Sequence, residues 1–222
     1  MISALTDGRG ARMLYEFVST LHSSFRGIYD TMDQAKSAAP RGTLLGYDNP
    51  QAAHLYRDQI VVRPGDYAAV LWLGKVLADG SKVFDIGGNI GIAFYAFQKY
   101  LAYPPHLRWV VYDVPAVLAA GNEFKTGRSS AGLEFITSLD SCQGSDIILA
   151  AGSLQYIDCS LAEILAPVSK RPKHLLITRT PLYNGPSYCT LQNIGPSVCP
   201  YRVFNANEFI QSICRQIGRA HV

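Results

Sequence analysis

Residues 83–91 read Val83-Phe84-Asp85-Ile86-Gly87-Gly88-Asn89-Ile90-Gly91, and the fold turns on this stretch. Val83 and Phe84 have the character of the end of a buried strand. Gly87, Gly88 and Gly91 permit a tight turn and a close approach of backbone to a ligand. Asn89 stands where a further glycine is expected, and asparagine is among the few other residues that tolerate a positive φ. From Ile90 onward the chain lacks proline and carries apolar residues at helical spacing. The unit is therefore strand, glycine turn, helix, with the first helical amides pointing into the turn. Asp85 discriminates between ligands. A turn built only to grip a pyrophosphate gains from unopposed N–H groups, whereas a carboxylate two residues before the first glycine suits a ligand with a cationic end. The dinucleotide pattern G-x-G-x-x-G is also not met, because Asn89 occupies the second glycine's place. The plainer reading is a glycine turn that closes an ordinary α/β crossover.

Outward from this turn, residues 106–112 form a second strand that ends at Asp113. Asp113 lies close to the roughly 20-residue spacing of the ribose-binding acid in nucleotide-binding βαβ units. A carboxylate there can accept hydrogen bonds from two ribose hydroxyls. Taken alone, Asp113 could equally cap the helix that Pro115 opens. Further strands are expected at 133–137, 146–150 and 174–178, with a helix beginning at Leu161. Strands alternating with helices at this rhythm give an α/β fold with a doubly wound, mostly parallel sheet. Residues 181–200, rich in Gly, Pro, Asn and Tyr, are expected as a long functional loop, and 205–217 as a helix capped by Asn205. Before the sheet, helical character at 11–25, 50–60 and 67–77 predicts an N-terminal helical cap over residues 1–80, seated on the sheet's ligand edge or serving as a plain extension.

Bulk properties set the outer bounds. The 222 residues suit one domain, or a domain with an appendage. A hydrophobic content of 48% supports a sizeable core, and 17% charged residues argue against disorder. A net charge of +3 without a basic stripe excludes nucleic acid as the expected partner. The five cysteines never form C-x-x-C, which fits neither a disulfide framework nor a zinc site and suggests reduced thiols in the cytoplasm. No metal site is expected. The longest apolar run, residues 67–73, is too short to span a bilayer. Residues 217–222 resemble a translated sequencing adapter, so the sheet-forming domain is expected over 81–218 and this tail outside it.

The motif D-x-G-x-x-x-G after a strand resembles the first motif of class I S-adenosylmethionine-dependent methyltransferases, D/E-x-G-x-G-x-G, with Asn89 at the middle glycine. D-V-P-A-V at 113–117 resembles the D-L-P-x-V segment of small-molecule O-methyltransferases. Together with G-Y-D at 46–48, G-S-L-Q-Y-I at 152–157, T-L-Q-N-I-G at 190–195 and C-P-Y at 199–201, the chain is similar to an uncharacterised bacterial methyltransferase group often linked to surface-polysaccharide genes. The class pattern covers residues 82–218. It implies a Rossmann-like fold and S-adenosyl-L-methionine as cofactor. Asp85 would meet the cofactor's amino group, Gly87, Gly88, Asn89 and Gly91 would admit it to the backbone, and Asp113 would bind its ribose. Asp140 falls where such enzymes place groups near the adenine, and Ser153 follows the fourth strand. An antiparallel hairpin expected after the last helix is missing, which predicts a truncated C-terminus. Where similar O-methyltransferases carry a histidine as general base, this chain has Gln155, which cannot take a proton near neutral pH. Gln155, Tyr156 and Asn193 are the candidates for orienting an acceptor, a small molecule or a saccharide methylated at oxygen. Two alternatives stay open: a binding protein that keeps the cofactor pocket without the chemistry, and a nicotinamide-dependent oxidoreductase, which Asp85 and the glycine spacing disfavour. Nothing in the sequence fixes an oligomeric state.

Overall fold

A computed structural model describes residues 8–19 and 24–217. Five strands, β2 (Lys82–Ile86), β3 (Arg108–Tyr112), β4 (Leu133–Ile136), β5 (Ile147–Ala151) and β6 (His174–Thr178), form one sheet in the order β4-β3-β2-β5-β6. Every pairing in it is parallel. The central strand β2 is buried from Val83 to Ile86, as a parallel strand covered on both faces must be. Successive side chains alternate between two cores. Val83, Trp109, Val111, Ile147 and Leu149 pack against α4 (Tyr67–Val76), α5 (Ile92–Phe97) and α6 (Pro115–Lys125). Phe84, Ile86, Val110 and Ile148 pack on the opposite face against α7 (Leu161–Leu165) and α8 (Ala206–Ile217). The doubly wound sheet expected from the sequence is thus present.

Local chemistry explains where the helices begin. Ser160 and Glu163 close a capping box on α7. Asn205 Oδ1 accepts the Glu208 amide at 2.9 Å at the start of α8. At α6, Pro115 takes the first position and Val114 the cap. The side chain that meets this helix start comes from far upstream, Asp48 Oδ1 accepting the Ala116 amide at 2.8 Å. That bond ties the N-terminal segment to the sheet's C-terminal edge.

The remainder differs from expectation. The first 80 residues include α1 (Gly8–Ser19), α2 (Met32–Ser37), α3 (Pro50–Ala53) and α4, but also a strand, β1 (Ser24–Tyr29). The helical reading of 11–25 fails at its end because Phe25 lies on that strand, and the reading of 50–60 shortens to four residues followed by turns. Residues 181–200 are not a loop. They contain β7 (Leu182–Tyr183), β8 (Tyr188–Asn193) and the start of β9 (Val198–Asn205). β8 and β9 form an antiparallel hairpin, and β1 adds to the outer side of β8. A second sheet of order β1-β8-β9-β7 results. Its small core joins Phe17, Met32, Ala35, Cys189, Leu191 and Val198. The segment expected to be an adapter tail falls, from residue 218, outside the described residues.

Candidate functional site

The glycine turn leaves β2 at the C-terminal edge of the parallel sheet, the edge where ligands bind in open α/β folds. Two positions show why its residues must be small. A Cβ on Gly88 would stand 2.5 Å from Asp85 Oδ2, and one on Gly87, at φ 65°, would stand 2.4 Å from the Ser153 Cβ. The missing side chains let the turn fold down onto Asp85 on one side and the end of β5 on the other. Asn89 takes φ 56° and steadies itself by accepting the Ile90 amide on its own Oδ1 at 2.9 Å, so asparagine does fill the glycine's place.

Asp85 is fully buried. Its Oδ2 accepts the Trp109 indole N–H at 3.0 Å, while Oδ1 has no partner among the described residues. Burial raises its carboxyl to about 7, with the Trp109 hydrogen bond working the other way. Asp113, at the end of β3, is not a helix cap: that position belongs to Val114. Its Oδ2 accepts the Asn89 amide and its Oδ1 the Val114 amide, both at 2.8 Å. The carboxylate therefore clamps the glycine turn to the neighbouring strand. Each oxygen keeps a second lone pair for a ligand hydroxyl. Burial lifts this carboxyl to about 6, and the two amide bonds oppose that rise.

These groups line one cleft of about 870 Å³, within the range of cofactor and ligand sites. Asp85, Gly87, Gly88, Asn89, Asp113, Ser153, Gln155 and Tyr156 all border it. Gly91 opens α5 behind the turn at φ 86° and is not among the lining residues. Ser153 spends its hydroxyl on the Ile86 carbonyl and so fastens β5 to β2. Gln155 donates Nε2 to the Gly152 carbonyl at 2.8 Å. That carbonyl fixes the amide's orientation and leaves the buried Oε1 without a donor among the described residues. Tyr156 donates its hydroxyl to Gln192 Oε1 at 2.6 Å.

Two expected residues lie elsewhere. Asp140 is exposed on the short helical turn Leu139–Cys142 and does not border the cleft. Asn193 is buried on β8, where Nδ2 donates to the Phe17 carbonyl and Oδ1 accepts the Gly195 amide. It supports the second sheet. Period-two alternation explains the placement, because the neighbouring Gln192 faces the cleft and Asn193 the other side.

The cleft also contains groups that the sequence reading passed over. Tyr47 and Tyr56 share a hydroxyl contact of 3.2 Å, and Tyr47 stands edge-on to Tyr156 with centroids 5.3 Å apart. Burial raises both Tyr47 and Tyr156 above the ordinary phenol value, so they stay neutral and act as hydrogen-bonding groups. Lys36 reaches Asp158 at 2.8 Å, and Arg179 reaches Asp66 at 2.8 Å. Signals for some of these existed: Tyr47 sits inside G-Y-D, Gln192 inside T-L-Q-N, and Arg179 directly follows the last parallel strand. The wall has five carboxylates, Asp48, Asp66, Asp85, Asp113 and Asp158, against Lys36, Arg63 and Arg179. Fully ionised, it holds a formal excess of two negative charges, although the whole chain is +3.

Among solved structures, the chain is similar to a complex of the Haloferax volcanii Trm112 methyltransferase activator with a methyltransferase, at TM-score 0.53 and 13% identity, covering 77% of this chain and 75% of that one. The mitomycin 7-O-methyltransferase MmcR matches at TM-score 0.48 and 17% identity, over 96% of this chain and 63% of that one. An S-adenosylmethionine-dependent methyltransferase from Thiobacillus denitrificans, solved with S-adenosyl-L-homocysteine, matches at TM-score 0.41 and 17% identity, over 59% and 55%. The chain thus spans under two thirds of the length of the last two. No protein-family model and no curated protein matches it in sequence. The fold is the Rossmann-like fold of class I methyltransferases.

Proposed function

We propose that this chain is an S-adenosyl-L-methionine-dependent methyltransferase acting on a small-molecule or saccharide acceptor, at oxygen. The observation that carries this reading is Asp85, a buried carboxylate beneath a side-chain-free turn, bordering the cleft with one oxygen unsatisfied. An unpaired acceptor in that position costs free energy until a donor arrives, and a cationic ammonium is the donor it suits best. The acidic wall agrees, since it favours a cationic ligand over a pyrophosphate.

The residues present fit such a cofactor. Asp85 would hold the amino group, Gly87 and Gly88 would admit the molecule to the backbone, and Asp113 would take the ribose hydroxyls while keeping its clamp on Asn89. When bound, S-adenosyl-L-methionine supplies an electrophilic methyl group on a sulfonium. The chain's own contribution is then chiefly placement, which alone lowers such barriers substantially. Gln155 Oε1 is a fixed, buried acceptor that would take the proton end of an acceptor hydroxyl and point its oxygen. Tyr47, Tyr56 and Tyr156 form an aromatic wall against which a ring can pack.

One observation favours a non-catalytic binding protein instead: among the described residues no histidine borders the cleft, and Gln155 cannot accept a proton. Calorimetric titration with S-adenosyl-L-homocysteine and with NAD tests the cofactor. Binding of the first and not the second is expected, and the reverse would overturn the assignment. Methyl transfer to a panel of phenols, hydroxy acids and glycosides then separates enzyme from binder, turnover of any one supporting the enzyme.

A further inference from the structure

We propose that Arg179 is a carboxylate-binding residue of the cleft, working beside Arg63. The cofactor reading need not hold for this, although it bears on which molecule brings the carboxylate. Arg179 follows β6 and adopts φ 55°, a left-handed backbone that arginine rarely takes. Such conformations persist where the surroundings over-determine them, and they gather at ligand sites. The surroundings here do so. A Cβ on Gly65 would stand 2.9 Å from the Arg179 Cγ, and one on Gly152 would stand 2.9 Å from its Nη1. Two glycines therefore make the bed in which the side chain lies.

Its guanidinium is then aimed by bonds on two of its three nitrogens. Nε donates to Asp66 Oδ1 at 2.8 Å and Nη2 to the Ala151 carbonyl at 2.5 Å. Nη1 makes no hydrogen bond among the described residues. Asp66 is the holder rather than a competitor, because it also accepts the Thr178 hydroxyl at 3.2 Å and the Arg63 amide at 3.2 Å. Arg63 borders the same cleft, donates to Gln59 at 3.2 Å, and forms no ion pair among the described residues. A pre-aimed guanidinium with unspent N–H groups, in a cleft that a second cation also borders, is built for a planar oxyanion. The acidic remainder of the wall selects a monoanionic carboxylate over a phosphate dianion. Two sources can bring that group: the amino-acid end of the cofactor, or an acceptor that is itself an acid.

The test uses two variants. Arg179→Lys keeps a cation beside buried Asp66 but loses the planar fork. The double variant Asp66→Asn with Arg179→Gln removes both charges of the pair, so neither partner is stranded. Each is titrated with S-adenosyl-L-homocysteine, with 5′-methylthioadenosine, which lacks the amino-acid end, and with benzoate, both free and after saturation with S-adenosyl-L-homocysteine. Loss of about tenfold or more for S-adenosyl-L-homocysteine, with 5′-methylthioadenosine unchanged, supports the proposal and names the cofactor as the source. Benzoate binding to the wild type that both variants lose supports it and names the acceptor. If both variants match the wild type toward all three probes, or if S-adenosyl-L-homocysteine is unaffected and the wild type takes no benzoate, the proposal falls while the cofactor reading stands. If the wild type binds neither nucleoside, the cofactor reading falls, and benzoate on the free protein still decides the role of Arg179.

Discussion

The two sheets of this molecule were assembled by different rules. In the parallel sheet, β2, β3, β5 and β6 are short apolar runs separated by helices, and each crossover is local in sequence. In the second sheet, β1 pairs with β8, so that Ser24 lies opposite Asn193, and the contact exists only after nearly the whole chain has folded back. One sheet presents the glycine turn and the carboxylates, while the other closes the cleft above them with Gln192, Cys199 and Pro200. On the proposed reading, the residues that would handle a cofactor therefore sit on the locally encoded sheet, and the wall that would face an acceptor is built from distant pieces.

The largest expected effect separates the two sheets energetically. Leu191 on β8 is fully buried between Phe17, Met32 and Val198, and Leu191→Ala should cost about 2–5 kcal/mol. Denaturant melts should show a single weakened transition, while S-adenosyl-L-homocysteine affinity measured well below that transition stays near wild type. A collapse of affinity in the folded variant would mean that the second sheet helps to hold the cofactor, and the division would be lost.

Asp113→Ala probes the opposite side. Two charge-assisted bonds to ribose hydroxyls, each worth about 1.5–3 kcal/mol, should disappear, weakening S-adenosyl-L-homocysteine by about 10- to 1000-fold when partial replacement by water is allowed for. Stability should fall too, because the Asn89 and Val114 amides lose their acceptor. Asp113→Asn should cost less, since one acceptor oxygen survives. A lowered melting point with unaltered affinity would leave Asp113 as a clamp only.

A smaller effect follows from pH. Burial raises Asp85 to about 7, above its unfolded value, so the folded state holds the proton longer than the unfolded one. Its contribution therefore erodes stability as pH rises from about 4 to 7 and is flat above. Ligand binding has the opposite slope, because an ammonium group needs the ionised carboxylate. S-adenosyl-L-homocysteine affinity should rise by about tenfold between pH 5.5 and pH 8 and level off. Asp85→Asn should remove that rise and weaken binding, and should relieve the loss of stability near neutral pH. The part due to Asp113, raised to about 6, would persist at lower pH. An unchanged pH profile in Asp85→Asn would assign the titration to another group.

The same contrast explains what was legible in the sequence. Strand, glycine turn and helix at 82–97 are written in adjacent residues, and so are the acid at the end of β3 and the Asn205 cap. Asn89 could be read as a substitute glycine because its φ preference is intrinsic. The hairpin at 188–205 could not be read that way. Its strands contain Pro200, Cys189 and Cys199, their burial runs in blocks rather than alternating, and they pack against β1 and α2. Asn193 and Gln192 cannot be told apart in the sequence for the same reason: which of two neighbouring polar residues faces the cleft depends on a register set by residues more than 160 positions away. Asp66 and Arg179 were missed because their meaning comes from a pairing across 113 residues.

The smallest effect tests whether the wall from the second sheet touches an acceptor at all. Tyr156 donates to Gln192 Oε1 at 2.6 Å, and it stands edge-on to Tyr47 and Tyr201, with centroids 5.3 Å away in each case. Tyr156→Phe keeps the ring contacts and removes only that hydroxyl, so the loss of stability should be about 0.5–1.5 kcal/mol. S-adenosyl-L-homocysteine affinity should not change, because the hydroxyl bonds to β8 and not to the glycine turn. If the tyrosine wall positions the acceptor, KM for whichever acceptor the panel identifies should rise by a few-fold with kcat less affected, since Gln192 loses the Tyr156 hydrogen bond and no reacting atom is lost. Tyr156→Leu removes the ring as well and should raise KM further than Tyr156→Phe does. Equal KM values in wild type, Phe and Leu variants would show that the acceptor does not rest on this wall. The second sheet would then be a lid over the cofactor rather than part of the acceptor site.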